Sequence, residues 1–312
     1  MTHTHRCPLC GGCRFQEWRL GLNKCISCGL VVSPMIWQSQ INEQMEDTWF
    51  GEDYEPEKSY WVQRFESWNN RRTLVRLETS SAKKSRLLEV GVGTGSFLRA
   101  AQQQGFDVSG CDLSATLCQR VENKYGINIH CGPLSELRGE EPFDVVVMNH
   151  VLEHVQQPVA FMRDVASLLS ADGMVHIAVP NIACWEARLP GWTSFEPYHL
   201  SYFDPETLRR AVETTGLAVA QIGTHDSFSG WFLAALRTAV GINKDHEALV
   251  RPKPTDNARA SRERTVIVEH AYRLAMLCSG GITWPLRTWQ ARIGVGDEVV
   301  CIARPSSHRT AN

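Results

Sequence analysis

The sequence predicts a doubly wound α/β protein on a mostly parallel sheet, with a small cysteine-rich module in front and a helical insertion before the last strand. Three observations carry this. Strand-like and helix-like stretches alternate from residue 86 to 225; a glycine turn, EVGVGTG, follows the first strand of that series; and two CxxC pairs stand within the first 33 residues. Apolar runs alternating with amphipathic ones imply parallel strands joined by crossover helices.

The elements follow in order. Residues 1–33, rich in Cys and Gly, are too short for a core of their own and read as a four-cysteine module. Residues 34–80 are aromatic and charged, with Trp37, Trp49, Tyr54, Trp61, Phe65 and Trp68, and the spacing around SYWVQRFESWNNRRTLVRLE predicts a helix in a linker or cap. The core is placed at 81–228. LLEV (87–90) is its first strand, SFLRAAQQQG a helix ending at Gly105, and FDVSGCD (106–112) the second strand. A helix carrying Leu117 and Val121 stops near Gly126 before INIHCG, the third strand. FDVVVMN (143–149) is the clearest strand, and PVAFMRDVASLLSADG reads as a helix with Met162, Val165, Leu168 and Leu169 on one face. MVHIAVPN is the fifth strand. FDPETLRRAVETTG shows an Asp204 N-cap, Pro205 at the first helical position and Gly216 just past the end. LAVAQIGTHD and DEVVCIARP are the last two strands. Residues 229–295 between them, including WFLAALRTAV and RTVIVEHAYRLAMLC, read as a helical insertion or lid; residues 296–312 hold the last strand and a tail.

Composition removes several classes. The 312 residues are 43% apolar and 21% charged, with 32 Lys and Arg against 34 Asp and Glu, so no global basic field marks a nucleic-acid carrier. No apolar run reaches the roughly 18 residues of a membrane span. The opening MTHTHRCPLCGG lacks the apolar stretch of a secretory signal, and 11 cysteines, four of them in tight pairs, suit a metal site in a reducing cytoplasm better than a disulfide framework. The insertion is locally basic, with 10 Lys and Arg against 5 Asp and Glu. Its Trp231, Trp284 and Trp289 fit core and solvated faces, a lid over an anionic acceptor, or a surface facing anionic lipid.

Gly91, Gly93 and Gly95 stand between a strand and a helix, where glycine lets the chain turn sharply and lets a ligand approach the backbone. The helix start offers free N–H groups to a carboxylate or another anion. Glu89 precedes the turn. Asp112 lies 17 residues beyond Gly95 at the end of the second strand, where a carboxylate can accept both hydroxyls of a ribose. A nicotinamide site would carry G-x-G-x-x-G/A, but counted from Gly91 its third glycine falls at Ser96.

EVGVGTG, the acid of GCDLS, and FDVVVMNHVLEHV followed by LLSADGMVHIAVPN resemble the class I S-adenosylmethionine-dependent methyltransferases, over roughly residues 60–225 and 296–305. The resemblance implies a Rossmann-like sheet of seven strands, the final one antiparallel. It also implies that Gly91, Val92, Gly93, Thr94 and Gly95, with Glu89, cradle the methionine end of the cofactor. Asp112 would hold the ribose and Leu113 pack on the adenine. Gly132 and Pro133 would lie near the adenine edge, with Pro133 where the family often has an acid or amide. Asn149 and His150 would border the sulfonium.

Cys7-x2-Cys10 and Cys25-x2-Cys28, 14 residues apart and each followed by glycine, suit tetrahedral Zn²⁺; iron in a rubredoxin-like centre is the alternative. Four thiolates leave no open position, so the metal is expected to be structural, and Cys13 a bystander. CPLCGG and KCISCGLV resemble the module of certain methyltransferases of sugar nucleotides and secondary metabolites. An RNA partner is disfavoured, since residues 1–33 hold only Arg6, Arg14, Arg19 and Lys24 as cations beside Glu17.

Ligands in open α/β sheets lie beyond the carboxyl ends of the strands, which directs attention to NHVLEHV and to PNIACWEARLPGWTSFEPYHLSYF. His199 is favoured as base or orienter. His150 is close to the expected cofactor, and His154 would share a helical face with it, in a packing or capping role. The function expected is methyl transfer to O or C of a small biosynthetic intermediate, anions included, such as a glycan precursor or secondary metabolite. The rivals are an RNA methyltransferase and a cofactor-binding scaffold without catalysis.

Overall fold

The computed structural model describes residues 5–37, 60–77, 85–196, 198–226, 230–241, 278 and 280–306. Near the N-terminus β1 (Phe15–Glu17), β2 (Asn23–Cys25) and β3 (Val31–Val32) make an antiparallel meander. Helix α1 (Tyr60–Leu77) follows. Then come β4 (Arg86–Val90), α2 (Ser96–Gln103), β5 (Asp107–Asp112), α3 (Ala115–Tyr125) and β6 (Ile129–Cys131). The second half supplies β7 (Phe143–Asn149), α4 (Pro158–Leu168), β8 (Leu169–Pro180), β9 (Ser201–Tyr202), α5 (Pro205–Glu213) and β10 (Leu217–His225). Helix α6 (Gly230–Ala239), a further helix α7 (280–292) and β11 (Glu298–Pro305) complete the described chain.

The main sheet has seven strands in the order β10-β11-β8-β7-β4-β5-β6, with β11 antiparallel to both neighbours and the other pairs parallel. Strand order reverses between β4 and β7, and a crevice opens there above the carboxyl ends. Val145, Val146, Val147 and Met148 are wholly buried because helices cover both faces of a central parallel strand. Alternate residues feed the two cores. Leu88, Val146, Met148 and Ile177 pack on one face, and Leu87, Val145, Val147 and Met174 on the other.

Local signals explain most boundaries. The Asp204 carboxylate accepts from Thr207 N at 2.8 Å, and the Thr207 hydroxyl accepts from Asp204 N at 2.9 Å, a reciprocal cap that starts α5 with Pro205 in its first turn. The helix expected to run to residue 173 ends at Leu168 instead. Leu169 pairs with Phe143 in the β7–β8 ladder, so an apolar residue compatible with either period is taken by the sheet. The HVLEH segment is a short 3₁₀ turn, Leu152–His154, not a helix carrying His150 and His154 on one face. The WFLAALRTAV helix is present as α6, whereas residues 264–277 of RTVIVEHAYRLAMLC, with Trp49 and Tyr54, lie outside the described residues.

The cysteine-rich segment is knitted into the core. Strand β3 pairs with β9, Val31 opposite Tyr202 and Val32 opposite Ser201, which makes a four-stranded sheet of β1-β2-β3-β9. Ser33 N donates to Leu200 O at 3.0 Å, and Gln156 Nε2 to Ile36 O at 2.8 Å. Cys7, Cys25 and Cys28 share a hydrophobic cluster with Leu200, Phe203 and Leu208. Among the described residues no helix is long and apolar enough to cross a membrane.

Candidate active site

The crevice holds a cavity of about 1250 Å³. Its floor is the turn after β4. Gly91, Gly93 and Gly95 have φ of 75°, 49° and 71°, left-handed values that side chains other than glycine adopt at a cost. At Gly91 a Cβ would also lie 2.6 Å from Val151 Cγ2, so β4 and the segment after β7 touch through a missing side chain. At Gly93 a Cβ would meet nothing within 4 Å. That residue lines the cavity, so the loop leaves room there for a ligand against the main chain.

Asp112 ends β5 at the cavity wall. One carboxylate oxygen accepts from Val92 N and the other from Ser114 N, both at 2.9 Å, which ties the glycine turn to the second strand. A carboxylate oxygen has two lone pairs, so each can still meet a hydroxyl. Burial raises the Asp112 pKa against the opposing pull of those backbone donors. Glu89, on β4, is 4% exposed, and burial holds its carboxyl well above the usual range despite the backbone at Leu98 and the Asn149 side chain. Its Oε2 has no hydrogen-bond partner among the described residues. An orphaned buried oxygen at the mouth of an amide-lined turn suits a ligand ammonium. Half-exposed Leu113 and residues Gly132 and Pro133 line the same end.

Asn149 and His150 stand at the end of β7, also on the cavity wall. His150 adopts φ 56°, unusual for a side-chain-bearing residue. Its N–H reaches Ala178 O at 2.9 Å. Its ring spans two carboxylates, Nδ1 to Glu153 at 3.2 Å and Nε2 to Glu298 at 3.0 Å. Burial by itself would lower the His150 pKa, but these two partners outweigh it and hold the imidazolium well above its ordinary value. Glu153 responds in the opposite sense: burial would raise it, yet the hydrogen bond to His150 and the neighbouring histidines take it to about 2. Glu298 lies in the last strand, far from His150 in sequence. Its part in this bridge had no local signal.

Thr193, Ser194, Glu196, Tyr198 and His199 form the opposite wall. His199 is 7% exposed, with Nδ1 2.8 Å from Ser194 O. Burial lowers its pKa to about 3, so it is a neutral imidazole near neutrality. Its ring centroid lies 4.9 Å from that of His154, whose Nδ1 is 3.1 Å from Tyr198 O. The structure therefore brings His199 and His154 together with Glu153, and joins His150 to the same group through that glutamate. Arg72 and Arg76 from α1, Trp284 and Arg287 from α7, and Asp226 and Asp297 close the cavity, so its rim carries both signs of charge. Trp231 and Trp289 point elsewhere and pack edge-on against Trp185, with centroids 6.3 and 5.4 Å away.

Four thiols converge at the N-terminal meander. Cys7 and Cys28 sulfurs are 3.5 Å apart, Cys10 and Cys25 sulfurs 3.6 Å, and all four lie within 4.8 Å of one another. A tetrahedral ion with metal–sulfur bonds of about 2.3 Å spaces its sulfurs by about 3.8 Å, so the group can hold one. Gly11 N and Gly29 N donate to Cys7 O and Cys25 O at 2.9 Å, closing the two turns. Cys13 is exposed and outside the group.

A family profile described as a methyltransferase domain matches residues 60–222, more than half of the chain. The chain belongs to the methyltransferase-domain family. This methyltransferase domain has the class I, S-adenosylmethionine-dependent architecture. Its similarity to ubiquinone biosynthesis O-methyltransferase of Xanthomonas campestris pv. campestris is 30% identity over 118 residues, 34% of this chain and 49% of the relative. The Rickettsia bellii protein of the same name is 25% identical over 151 residues, 44% of this chain and 62% of the relative. The chain spans about half the length of the curated relatives it matches. A crystal structure of a candidate sarcosine dimethylglycine methyltransferase from Galdieria sulphuraria shares the fold at 14% identity and a TM-score of 0.51, covering 82% of this chain and 91% of that one.

Proposed function

We propose that this chain transfers a methyl group from S-adenosylmethionine to an oxygen or carbon of a small biosynthetic intermediate. The observation that carries the reading is one cavity, walled on one side by Glu89, the glycine turn and Asp112 and on the other by the His154–His199 cluster. When bound, S-adenosylmethionine supplies an electrophilic methyl on a sulfonium; the acceptor lone pair forms the new bond as the C–S pair passes to sulfur.

The chain's own residues bind, orient and shield. Glu89 takes the ammonium, the amides of Gly91 to Gly95 with Val92 and Thr94 take the methionine end, and Asp112 takes the ribose hydroxyls. Leu113, Gly132 and Pro133 flank the adenine. Asn149 and His150 border the sulfur. His199 and His154 face the acceptor, where a neutral imidazole can accept a hydrogen bond from a hydroxyl and orient it. Trp284 and Arg287 help exclude water above them. The names of the curated relatives favour an oxygen acceptor. The mixed charge of the rim suits a small polar acceptor, including an anion such as a nucleotide sugar, better than a phosphate backbone, which calls for an unbroken basic track.

Cys7, Cys10, Cys25 and Cys28 are read as a structural Zn²⁺ site. The sulfur spacing supports four-coordinate closure, which leaves no position for chemistry.

Incubation with methyl-labelled S-adenosylmethionine and separate pools of phenolic, sugar-nucleotide and ribosomal RNA acceptors tests the assignment. Label should pass to a small acceptor. Tight cofactor binding without transfer to any pool favours a scaffold, and salt-sensitive transfer to RNA favours the nucleic-acid reading.

A further inference from the structure

We propose that Arg72, Arg76, His176 and His225 form an oxyanion subsite at the β10 edge of the cavity, and that the methyl acceptor carries a phosphate or diphosphate that seats there. All four line the cavity. Arg72 and Arg76 stand one turn apart on α1, both exposed, so their guanidinium forks share one helix face. The Arg72 guanidinium lies over the Trp68 ring, 4.5 Å from its centroid, which limits the rotamer freedom lost on binding. Arg76 reaches His225 at the end of β10, Nη1 to Nε2 at 3.5 Å. A guanidinium only donates, so Nε2 accepts and the neutral ring keeps its proton on Nδ1.

The second observation is His176. It stands in β8 opposite Ile302 of β11 and is 5% exposed, yet it reaches the cavity wall. Its Nδ1 is buried with no hydrogen-bond partner among the described residues. An orphaned ring nitrogen is costly, and a ligand oxygen that accepts its proton removes the cost. Burial lowers the pKa of both imidazoles, Glu298 opposes that, and Arg76 adds to it, so two neutral N–H donors stand beside two fixed cations. A pocket of about 20 Å³ lies deeper between Arg76, His176 and His225. It has room for about one bridging water, so the phosphate itself sits in the main cavity.

The acids near by are engaged elsewhere. Glu298 pairs with the His150 imidazolium at 3.0 Å. Asp226 and Asp297, next in sequence to His225 and Glu298, act on each other, with Glu186 and Arg287 beside them. Neighbouring residues of an extended chain face opposite ways, which separates that acidic group from the basic one. A carboxylate is satisfied by a single guanidinium fork, whereas two forks and two imidazoles suit the larger oxygen set and charge of a phosphate. The place in the sheet adds a distance. The sulfur is read beside Asn149 and His150 at the end of β7, and β8 and β11 stand between β7 and β10. Three strand spacings make about 14 Å, so the phosphate lies several bonds from the atom methylated. This inference rests on the methyl-transfer reading and narrows the acceptor to a phosphate ester or diphosphate conjugate.

Calorimetry on the full chain tests the subsite without turnover. With and without S-adenosylhomocysteine, and at constant ionic strength, inorganic pyrophosphate should bind at one equivalent and benzoate far more weakly. Arg72→Gln and Arg76→Gln should each weaken pyrophosphate roughly tenfold while affinity for S-adenosylhomocysteine is kept. Pyrophosphate should also shift the ring resonances of His176 and His225 in NMR spectra, which an ion held only by the exposed helix face would leave in place. Absence of pyrophosphate binding, equal affinity for benzoate, unmoved His176 resonances, or undiminished binding by folded Arg72→Gln and Arg76→Gln chains would overturn the subsite. The affinities for pyrophosphate and for S-adenosylhomocysteine are read separately, so the subsite and the cofactor assignment fail independently.

Discussion

Asp112 shows how one side chain serves both fold and ligand. Its oxygens already hold Val92 N and Ser114 N, so the turn is shaped before any ligand arrives. Asp112→Ala removes that tether and, on the proposed cofactor reading, the acceptors for two ribose hydroxyls. Charged hydrogen bonds contribute about 1.5–3 kcal/mol, so calorimetry with S-adenosylhomocysteine should show affinity reduced by roughly 10–100-fold. Unchanged affinity would place the nucleoside elsewhere. Gly91 is a sharper steric probe. Gly91→Ala sets a Cβ 2.6 Å from Val151 Cγ2 at a φ of 75°. It should lower the melting point and cofactor affinity together, and relief of the clash by Val151→Ala should restore part of both. The residue types at these positions were legible in the sequence. The pairing of His150 with Glu298 was not, because 148 positions separate them and the β7–β8 and β8–β11 ladders together bring them side by side.

At the scale of elements, the informative contact is β3 against β9. Strand β9 begins two residues after His199, so the sheet that carries Cys25 and anchors the thiol turns also fixes the cavity wall that holds His199. If the proposed zinc reading holds, Cys25→Ser should abolish metal binding, detected by elemental analysis, and lower the melting midpoint by about 5 °C or more, given roughly 2–4 °C per kcal/mol for a domain of this size. Because the glycine turn lies on other strands, affinity for S-adenosylhomocysteine should be kept while methyl transfer falls. Equal loss of both would mean that the module supports the cofactor end too. The CxxC pairs announced this module through their spacing. Its partner strand, two residues long, left no periodic signal.

Across the whole molecule, buried histidines couple stability to pH. His176, buried at mid-strand in β8, is held neutral by burial to a pKa of about 4. The unfolded chain takes up that proton near pH 6.5, so native stability is full above that pH and falls as pH drops toward 4. The slope from one such group is about 1.4 kcal/mol per pH unit. His176→Leu should flatten the acid limb of a melting-point profile between pH 6 and 4. An unchanged slope would mean that His176 titrates normally in the folded chain.

What the sequence determined by itself was the order of elements, the parallel sheet, the glycine turn with its two acids, and the four thiols. Each rests on short-range rules: period, capping, and the reach of a side chain a few residues along. Tertiary structure decided which distant groups meet. It set the seven-strand order, stitched the cysteine module onto β9, and gathered His154, His199, His150 and Glu298 around one cavity, with buried Glu153 paired to His150. Those meetings depend on ladders and packing between segments far apart in the chain, where no local pattern records the partner.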